Sequence, residues 1–290
     1  MKAELLNTEL PASELGEGVN WDARAKKLYW VDIIGKCIHR TDAAGGDYQS
    51  YKTPSMIGFM AIANDGGCVA GLRDGFYKLD LAEDVNARPL FHPTFAHRDN
   101  RFNDGKCDRR GRVWGGTMND LDHKNPTGAL YRLDENGLHT QEEGVFISNG
   151  LGWSPDNKAM YYIDTGRNTL FTYDYDIETG EAVNRKPLIV FDGKRPDGMC
   201  VDSTGRLYVA LWGGWAVDIY APDGKYIDSI AVDAPQVSCC CFGGEDLKTL
   251  YISTAYVGLS PEKRAAAPHA GKTFKISMDV AGLPETPARI

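Results

Sequence analysis

Short runs of strand-forming apolar residues recur along the chain, and each run ends in small or polar residues. Six of them occupy residues 28–32, 68–72, 113–117, 160–164, 207–211 and 250–254. From start to start the steps are 40, 45, 47, 47 and 43 residues. A strand-based period of this size is typical of a radial or stacked repeat. The pattern therefore predicts an architecture built from six similar units.

The fifth copy shows the internal order of one unit. Residues 199–201 form a short apolar run, a turn follows, and residues 207–211 alternate in strand-forming types. Residues 217–221 predict a third strand, and residues 225–232 a fourth, outer one. Four antiparallel strands per unit, with almost no helical periodicity, favour an all-β, six-bladed β-propeller. A stacked solenoid would need polar capping units, and the sequence has none.

The termini bear on how such a ring closes. Residues 4–9 have strand length, and we predict that they pair with the last blade, so that N- and C-terminal segments close the ring. We expect residues 1–290 to form one domain. The chain has no apolar run of membrane-spanning length and no signal-peptide pattern at its N-terminus. We therefore expect a cytoplasmic protein with no membrane partner, and a closed ring makes a monomer the simplest expectation.

Composition narrows the function classes. The net charge of −8 disfavours nucleic acid as a partner. The seven cysteines include the adjacent Cys239, Cys240 and Cys241, but no spacing suggests a disulfide framework or a zinc site. We interpret them as reduced, buried thiols. The histidines are scattered and have no metal-ligand spacing.

Four polar segments do not fit the repeat. Each places Asn, Asp or Glu beside a glycine, immediately before a predicted inner strand, where blade packing needs apolar side chains. The segments are LGEGVNW (15–21), RFNDGKC (101–107), ISNGLGW (147–153) and RPDGMC (195–200). In a propeller, the loops that enter the inner strands converge on the axis, so these residues are candidates for a shared site.

Glu17, Asn149 and Asp197 together supply two carboxylates and one amide oxygen. Such hard oxygen ligands suit Ca²⁺, Mg²⁺, Mn²⁺ or a similar ion. Any one of these Asn-Gly or Asp-Gly pairs could be an ordinary turn, but three at one phase of the repeat favour a metal site. In the fourth segment, Arg101 and Asn103 could bind a polar substrate, although a surface salt bridge explains Arg101 equally well.

These motifs, taken in order from about residue 15 to residue 276, resemble the gluconolactonase/regucalcin family, also called the senescence marker protein family. The resemblance rests on LGEG, RFNDGK, ISNGL, PDGM and the strand segments between them. It implies a six-bladed propeller with one divalent metal at the axis. It also implies hydrolysis of sugar lactones by many members, and calcium handling by the animal members.

Carried over by motif, Glu17, Asn149 and Asp197 match the family's metal ligands, and Arg101 and Asn103 its substrate-binding pair. The metal could be Ca, Zn, Mn, Mg or Fe(II). Two departures stand out: Val19-Asn20 follows GEG where many members have proline, and the loop 118–127 matches no known specificity residue. Asp120, Asp122 and His123 are candidates for that role.

The expected reaction is opening of an aldonolactone, such as a glucono-, xylono-, arabino- or galactonolactone, by water. A cation would polarise the carbonyl, and Asp197 would act as general base. Three alternatives stay open. They are a non-catalytic calcium-binding regulatory protein, a hydrolase of another ester or an organophosphate, and a propeller used only for protein contacts.

Overall fold

The computed structural model describes residues 1–82 and 85–290, and antiparallel sheets account for nearly all of its regular structure. Strand β1 (Glu4–Leu5) precedes the first sheet. The first sheet contains β2 (Gly16–Asp22), β3 (Lys27–Asp32), β4 (Cys37–Thr41) and β5 (Gln49–Lys52). The second contains β6 (Ile57–Ile62), β7 (Cys68–Leu72), β8 (Phe76–Asp80) and β9 (Asn86–Phe91).

The next two sheets repeat this order. The third contains β10 (Asn100–Cys107), β11 (Val113–Asn119), β12 (Gly128–Asp134) and β13 (Gly137–Val145). The fourth contains β14 (Ser148–Trp153), β15 (Ala159–Asp164), β16 (Thr169–Tyr175) and β17 (Ala182–Val190). A short 3-10 helix, Thr165–Arg167, follows β15.

The remaining strands form two further groups that a single pairing, Trp212 with Gln236, joins into one eight-stranded sheet. The fifth group contains β18 (Arg195–Val201), β19 (Leu207–Trp212), β20 (Ala216–Tyr220) and β21 (Tyr226–Ala231). The last contains β22 (Gln236–Gly243), β23 (Thr249–Ala255) and β24 (Phe274–Ser277). Helix α1 (Pro261–Ala266) lies between β23 and β24.

The all-β prediction is confirmed, and sheets of four antiparallel strands are those of a β-propeller. The six repeated segments all lie in the second strand of their sheet. The first strand of each sheet contacts the first strand of the next, and β22 contacts β2. The apolar core forms six clusters between consecutive sheets, one of them between the last sheet and the first.

Burial falls from the inner strands to the outer ones. Strands β6, β7 and β14 are buried along their whole length, whereas β9 and β21 are largely exposed. The alternation expected along residues 207–211 is wrong, because all five side chains are buried. Both faces of a sheet pack against neighbouring sheets, so an inner strand has no solvent face and consists of continuous apolar residues.

The N-terminal strand is shorter than predicted. A strand over residues 4–9 was expected, but β1 is only two residues long. It pairs with β24 through Glu4 with Lys275 and Leu5 with Phe274.

The C-terminal segment after β24 crosses the face that carries the turns between first and second strands. Its backbone bonds to four such turns: Ser203 donates to Ala281 O at 2.9 Å, Gly282 to Leu247 O at 2.8 Å, Arg289 to Gly111 O at 2.9 Å and Asn64 to Ala288 O at 2.9 Å. On the same segment, the half-buried Glu285 pairs with Lys106 Nζ of β10 at 2.9 Å. The seven cysteines are free thiols and six of them are buried. In the residues that the structure describes, no helix has both the length and the hydropathy to cross a membrane.

Candidate functional site

The first strand of every sheet carries a β-bulge at the same depth. Register breaks lie between Glu17 and Asn20 in β2, between Phe102 and Asp104 in β10, between Asn149 and Leu151 in β14, and between Pro196 and Met199 in β18. Strands β6 and β22 break in the same way. A bulge leaves a residue unpaired and turns its side chain away from the regular pleat.

This corrects the expected position of the polar segments. We expected the polar residues before the inner strands, but Glu17, Asn103, Asn149 and Asp197 lie within those strands, at or beside the bulges. The glycines beside these residues therefore lie at β-bulges and not in turns. Gly18, for example, has φ +53°, a conformation that glycine adopts without strain.

The structure brings all five predicted site residues together around one cavity of about 290 Å³. Each of them is at least nine-tenths buried. The wall is completed by residues from the strand ends and nearby loops: Leu15, Ile34, Met118, Asp120, His123, Ile147, Thr165, Arg195, Trp212 and Val257. A cavity that combines a few buried polar groups with apolar walls is typical of a small-molecule site.

A chain of hydrogen bonds fixes the amides in this cavity. Arg101 Nη1 donates to Asn103 Oδ1 at 2.8 Å, and Asn103 Nδ2 donates to Asn149 Oδ1 at 3.2 Å. Asn149 Nδ2 donates to Thr165 Oγ1 at 2.8 Å, and that hydroxyl donates to Pro196 O at 2.6 Å. Both amides therefore have a defined orientation, with the Asn149 oxygen turned towards Asn103.

Arg101 is buried and is held by the 118–127 loop, so a surface salt bridge is the wrong explanation for it. Its Nε donates to Asp120 Oδ1 at 2.6 Å, and Arg73 Nη1 donates to the other oxygen of that carboxylate at 3.1 Å. Burial disfavours the Asp120 carboxylate, but the two guanidinium groups outweigh burial and lower its pKa.

The other two loop candidates differ in position. His123 lines the cavity. Asp122 does not, because its carboxylate accepts hydrogen bonds from Lys124 N at 2.9 Å and from Asn125 Nδ2 within the loop.

Glu17 and Asp197 line the cavity, and a third buried carboxyl group, Asp104, lies near enough for its charge to act on both. Burial, and then the charges of Asp197 and Asp104, raise the pKa of Glu17 well above its usual value. Burial and the charge of Asp104 likewise raise the pKa of Asp197, against the opposing charge of Arg195. Burial also raises the pKa of Asp104 to about 6. Carboxylates this close are favoured in the charged form only when a cation offsets them.

The chemistry of the donor set fits a divalent cation. Asp197 Oδ1 is buried and has no hydrogen-bond partner among the described residues, a costly state that a bound cation would relieve. Across residues 1–82 and 85–290, no group of three or more His, Cys, Asp or Glu side chains could hold a metal. The predicted ligands, Glu17, Asn149 and Asp197, include only two such side chains, so they fall outside that criterion.

Several residues of the site escaped the sequence analysis. Asp104 follows Asn103 in the fourth polar segment but has no predicted role, and none is predicted for Thr165 or Arg195. The sequence favours a core position for Trp212, which instead lines the cavity. Arg195 had a detectable signal, because it stands directly before the Pro-Asp-Gly motif. Thr165 had none, because its contact with Asn149 depends on the pairing of β14 with β15.

A larger cavity of about 500 Å³ lies elsewhere, between Arg112, Arg132 and neighbouring turns. The two guanidinium groups are held by carboxylates, Arg112 by Asp108 at 3.1 Å and Arg132 by Asp134 at 3.1 Å. We assign it no function.

Known proteins with similar sequences share nearly the whole chain. It is 39% identical over 277 residues to a Bacillus subtilis protein provisionally named sugar lactone lactonase YvrE. It is 36% identical over 277 residues to 6-deoxy-6-sulfogluconolactonase of Pseudomonas putida. It is also 34% identical over 285 residues to regucalcin of Danio rerio. Each comparison covers 94% of this chain and 94% of the relative.

The fold has a close counterpart among solved structures. The crystal structure of a calcium-binding protein, regucalcin, from Agrobacterium tumefaciens superimposes with a TM-score of 0.93 at 27% identity. The comparison covers 100% of this chain and 98% of that one. The family model described as SMP-30/Gluconolactonase/LRE-like region matches residues 15–256. The chain therefore belongs to the SMP-30/gluconolactonase/LRE-like family.

Proposed function

We propose that this protein is a metal-dependent lactonase that hydrolyses a sugar lactone to the corresponding aldonic acid. One observation carries the proposal: five polar side chains from four separate strands line one cavity, and one buried oxygen among them, Asp197 Oδ1, has no partner among the described residues. Relatives at 36% and 39% identity are named as lactonases, which supports the same reaction class.

Glu17, Asn149 and Asp197 would hold one divalent cation through their oxygens. When bound, such a cation stabilises negative charge on a carbonyl oxygen and makes a nearby water more acidic. The identity of the ion is left open among Ca, Zn, Mn, Mg and Fe(II), because all accept carboxylate and amide oxygens. The name of the Agrobacterium relative, a calcium-binding protein, makes calcium the first ion to test.

Asp197 is the proposed general base. The carboxylate oxygen of Asp197 that does not bind the cation would accept a proton from the attacking water as the new C–O bond forms at the lactone carbonyl. The same atom would return the proton to the ring oxygen as the original C–O bond breaks. The products are then one hydroxyl and one carboxylic acid, which ionises and leaves Asp197 ready for another turnover.

Arg101 and Asn103 would orient the substrate. Arg101 uses Nε for Asp120 and Nη1 for Asn103, and it retains further N–H donors for substrate hydroxyls. Asn103 lies between Arg101 and Asn149, so it connects the substrate-orienting residues to the proposed cation ligands. Both side chains are held before substrate arrives, which lowers the entropy lost on binding.

We also propose that the sheets are six blades of a closed ring and that the protein is a monomer. The circle of contacts among the six first strands, and the antiparallel pairing of β1 with β24, support closure. A closed ring covers most sheet edges and leaves little reason for edge-to-edge association. The seven free thiols favour a reducing compartment such as the cytoplasm.

A second function, calcium binding without catalysis, uses the same residues and is favoured by the similarity to regucalcin. A turnover assay separates the two. Protein stripped of metal and then reloaded is mixed with neutral xylono-, arabino-, glucono- and galactonolactone, and acid release is followed with a pH indicator. A lactonase releases acid from at least one of them, whereas a binding protein releases none.

Variants locate the activity. Asp197→Ala and Asn149→Ala should each abolish metal-dependent hydrolysis, whereas Asp228→Ala, which removes an exposed carboxylate on outer strand β21, should keep it. Full activity in the Asp197 variant, or after thorough chelation, would contradict the proposal.

A further inference from the structure

Arg195 is an unpaired arginine at the mouth of the cavity. It is the first residue of β18, two positions before Asp197, and it lies opposite Trp212 of β19. Both Arg195 and Trp212 line the same cavity as the proposed catalytic residues. The Arg195 side chain is exposed and makes no hydrogen bond or ion pair with any residue in the described ranges.

Arg101, in the same cavity, differs from Arg195 because it is paired with a carboxylate. Its guanidinium is buried and bonds to Asp120 and Asn103, so its position is set by the protein. Arg195 has no such carboxylate. An arginine that needs no partner in the free protein keeps its whole planar set of donors for a ligand.

The charged groups around the cavity, counted together with one divalent cation, have a net positive charge. One divalent cation would offset Glu17 and Asp197. The single carboxylate of Asp120 is shared by Arg101 and Arg73, which leaves one positive charge there. Arg195 adds a second, and the buried Asp104, whose charge acts on Glu17 and Asp197, offsets one of the two. A neutral sugar lactone would leave the other unanswered, although the chain as a whole is acidic.

We propose that Arg195 is a specificity residue that selects lactones carrying an anionic oxygen group, a carboxylate or a phosphate, on the carbon chain away from the lactone carbonyl. This inference rests on the proposed lactonase function. A planar guanidinium binds either oxyanion through two parallel N–H···O bonds, which gives both affinity and orientation. Trp212 opposite it offers an apolar surface against which the carbon skeleton can pack.

The Arg195 charge could instead act on Asp197, whose carboxyl lies close enough for that charge to lower its pKa. The two roles differ in their consequences. An effect through Asp197 would change the hydrolysis of every lactone alike. Direct binding of an anionic substituent would change only the substrates that carry one, and mainly through KM.

The test compares three substrates: D-glucono-1,5-lactone, D-glucaro-1,4-lactone with its carboxylate, and 6-phospho-D-glucono-1,5-lactone. We expect kcat/KM for at least one anionic lactone to exceed that of the neutral one by about tenfold or more. Arg195→Gln should lower that ratio by about tenfold to a hundredfold, mostly through KM, and Arg195→Lys should restore part of it. Which anionic lactone responds separates a carboxylate from a phosphate ligand.

Arg88→Gln is the matched control, because it removes the same charge from an exposed position on the outer strand β9. It should leave the ratio unchanged. Equal preference of the wild type for neutral and anionic lactones would overturn the inference. The inference would also be overturned if Arg195→Gln lowered kcat/KM equally for all three substrates, so that the ratio of anionic to neutral lactone did not change.

A binding measurement keeps this inference separate from the lactonase proposal. If no lactone is hydrolysed, the proposed function is wrong, and calorimetry with gluconate and 6-phosphogluconate on the metal-loaded protein then decides the role of Arg195. Glucarate, the acid of the carboxylate-bearing lactone, is measured beside them. Tighter binding of 6-phosphogluconate or glucarate than of gluconate, abolished by Arg195→Gln, supports the role. Equal binding of all three acids, or tighter binding that persists in the variant, contradicts it.

Discussion

Asn149 Nδ2 donates to Thr165 Oγ1 at 2.8 Å, and this bond determines which end of the Asn149 amide faces the cavity. The same hydroxyl donates to Pro196 O, the carbonyl immediately before Asp197. One threonine at the start of the 3-10 helix thus connects two of the three proposed metal ligands. Partners that orient metal ligands commonly affect affinity almost as much as the ligands do.

Thr165→Val should weaken binding of the divalent cation by about 10- to 100-fold, because the Asn149 amide loses the acceptor that holds its orientation. Thr165→Ser keeps a hydroxyl at this position and serves as the control. Affinity is measured by competition with a fluorescent calcium chelator. Equal affinity of the valine variant and the wild type would show that Asn149 is not oriented by this bond, or is not a ligand.

The stability of the metal-free protein should fall as the pH rises through about 6. Burial, and then the charge of Glu285, raise the pKa of Asp104 to about 6 in the folded chain, whereas an unfolded aspartate titrates near about 4. The folded chain therefore holds this proton more tightly than the unfolded chain does. The resulting stabilisation is complete below pH about 4 and is lost as the pH passes the folded value.

Asp104→Asn should remove the part of this pH dependence that comes from Asp104, while Glu17 and Asp197, whose pKa values are also raised, keep theirs. This variant keeps an oxygen that can accept the hydrogen bond from Gly105 N, at 2.7 Å in the native chain. At pH 8 we expect the free energy of unfolding of the metal-free variant to exceed the wild type by about 2 kcal/mol, and at pH 4.5 by much less. Urea titrations at the two pH values provide the measurement. If the free energy of unfolding of the variant were below that of the wild type by the same amount at both pH values, the account would be contradicted.

The ion pair between Lys106 and Glu285 attaches the C-terminal segment to the inner strand β10. Burial disfavours the Lys106 ammonium, but Glu285 outweighs burial and raises its pKa. Glu285→Gln should lower the free energy of unfolding by about 3 kcal/mol, because a buried charge loses its partner. As a control, Asp223→Asn removes one member of an exposed pair with Lys225 and should have no measurable effect. Equal effects of the two variants on urea unfolding would contradict this role.

Arg101→Ala should raise KM for the hydrolysed lactone by about tenfold or more, with a smaller change in kcat, because it removes the donors that we propose bind the substrate before and during reaction. Arg98→Ala is a suitable control, since the Arg98 side chain is 91% exposed and its one ion pair within the described ranges is a distant contact with Asp99 at 3.9 Å. Steady-state kinetics of both variants test the assignment. A fall in kcat at constant KM would place Arg101 in the chemical step instead.

The positions of the strands could be predicted from the sequence, but their β-bulges and their burial could not. The segments 68–72 and 207–211 are apolar and rich in strand formers, so local composition locates them. Residues 207–211 also show the limit of that approach. Whether a short apolar strand has one buried face or two depends on what packs against it, and local sequence does not contain that information.

The glycines beside the site residues were enough to identify these residues from the sequence. Their position was predicted wrongly, because they lie within the inner strands and not before them. A carboxylate or amide beside glycine suits a turn and a β-bulge alike, and only strand pairing distinguishes them. Contacts such as Lys106 with Glu285 join residues 179 positions apart and leave no local pattern. Arg195 has no predicted role because a single exposed arginine is common, and only the structure shows that it lines the cavity and has no partner among the described residues.

The central claim is that Glu17, Asn149 and Asp197 share one cation. The most direct measurement is the anomalous difference map of a crystal grown with Ca²⁺. We expect one strong peak about 2.3–2.6 Å from an oxygen of each of the three side chains, and no peak there in the Asp197→Ala variant. A map of the wild-type crystal with no density between these side chains, or with calcium bound only elsewhere, would contradict the account.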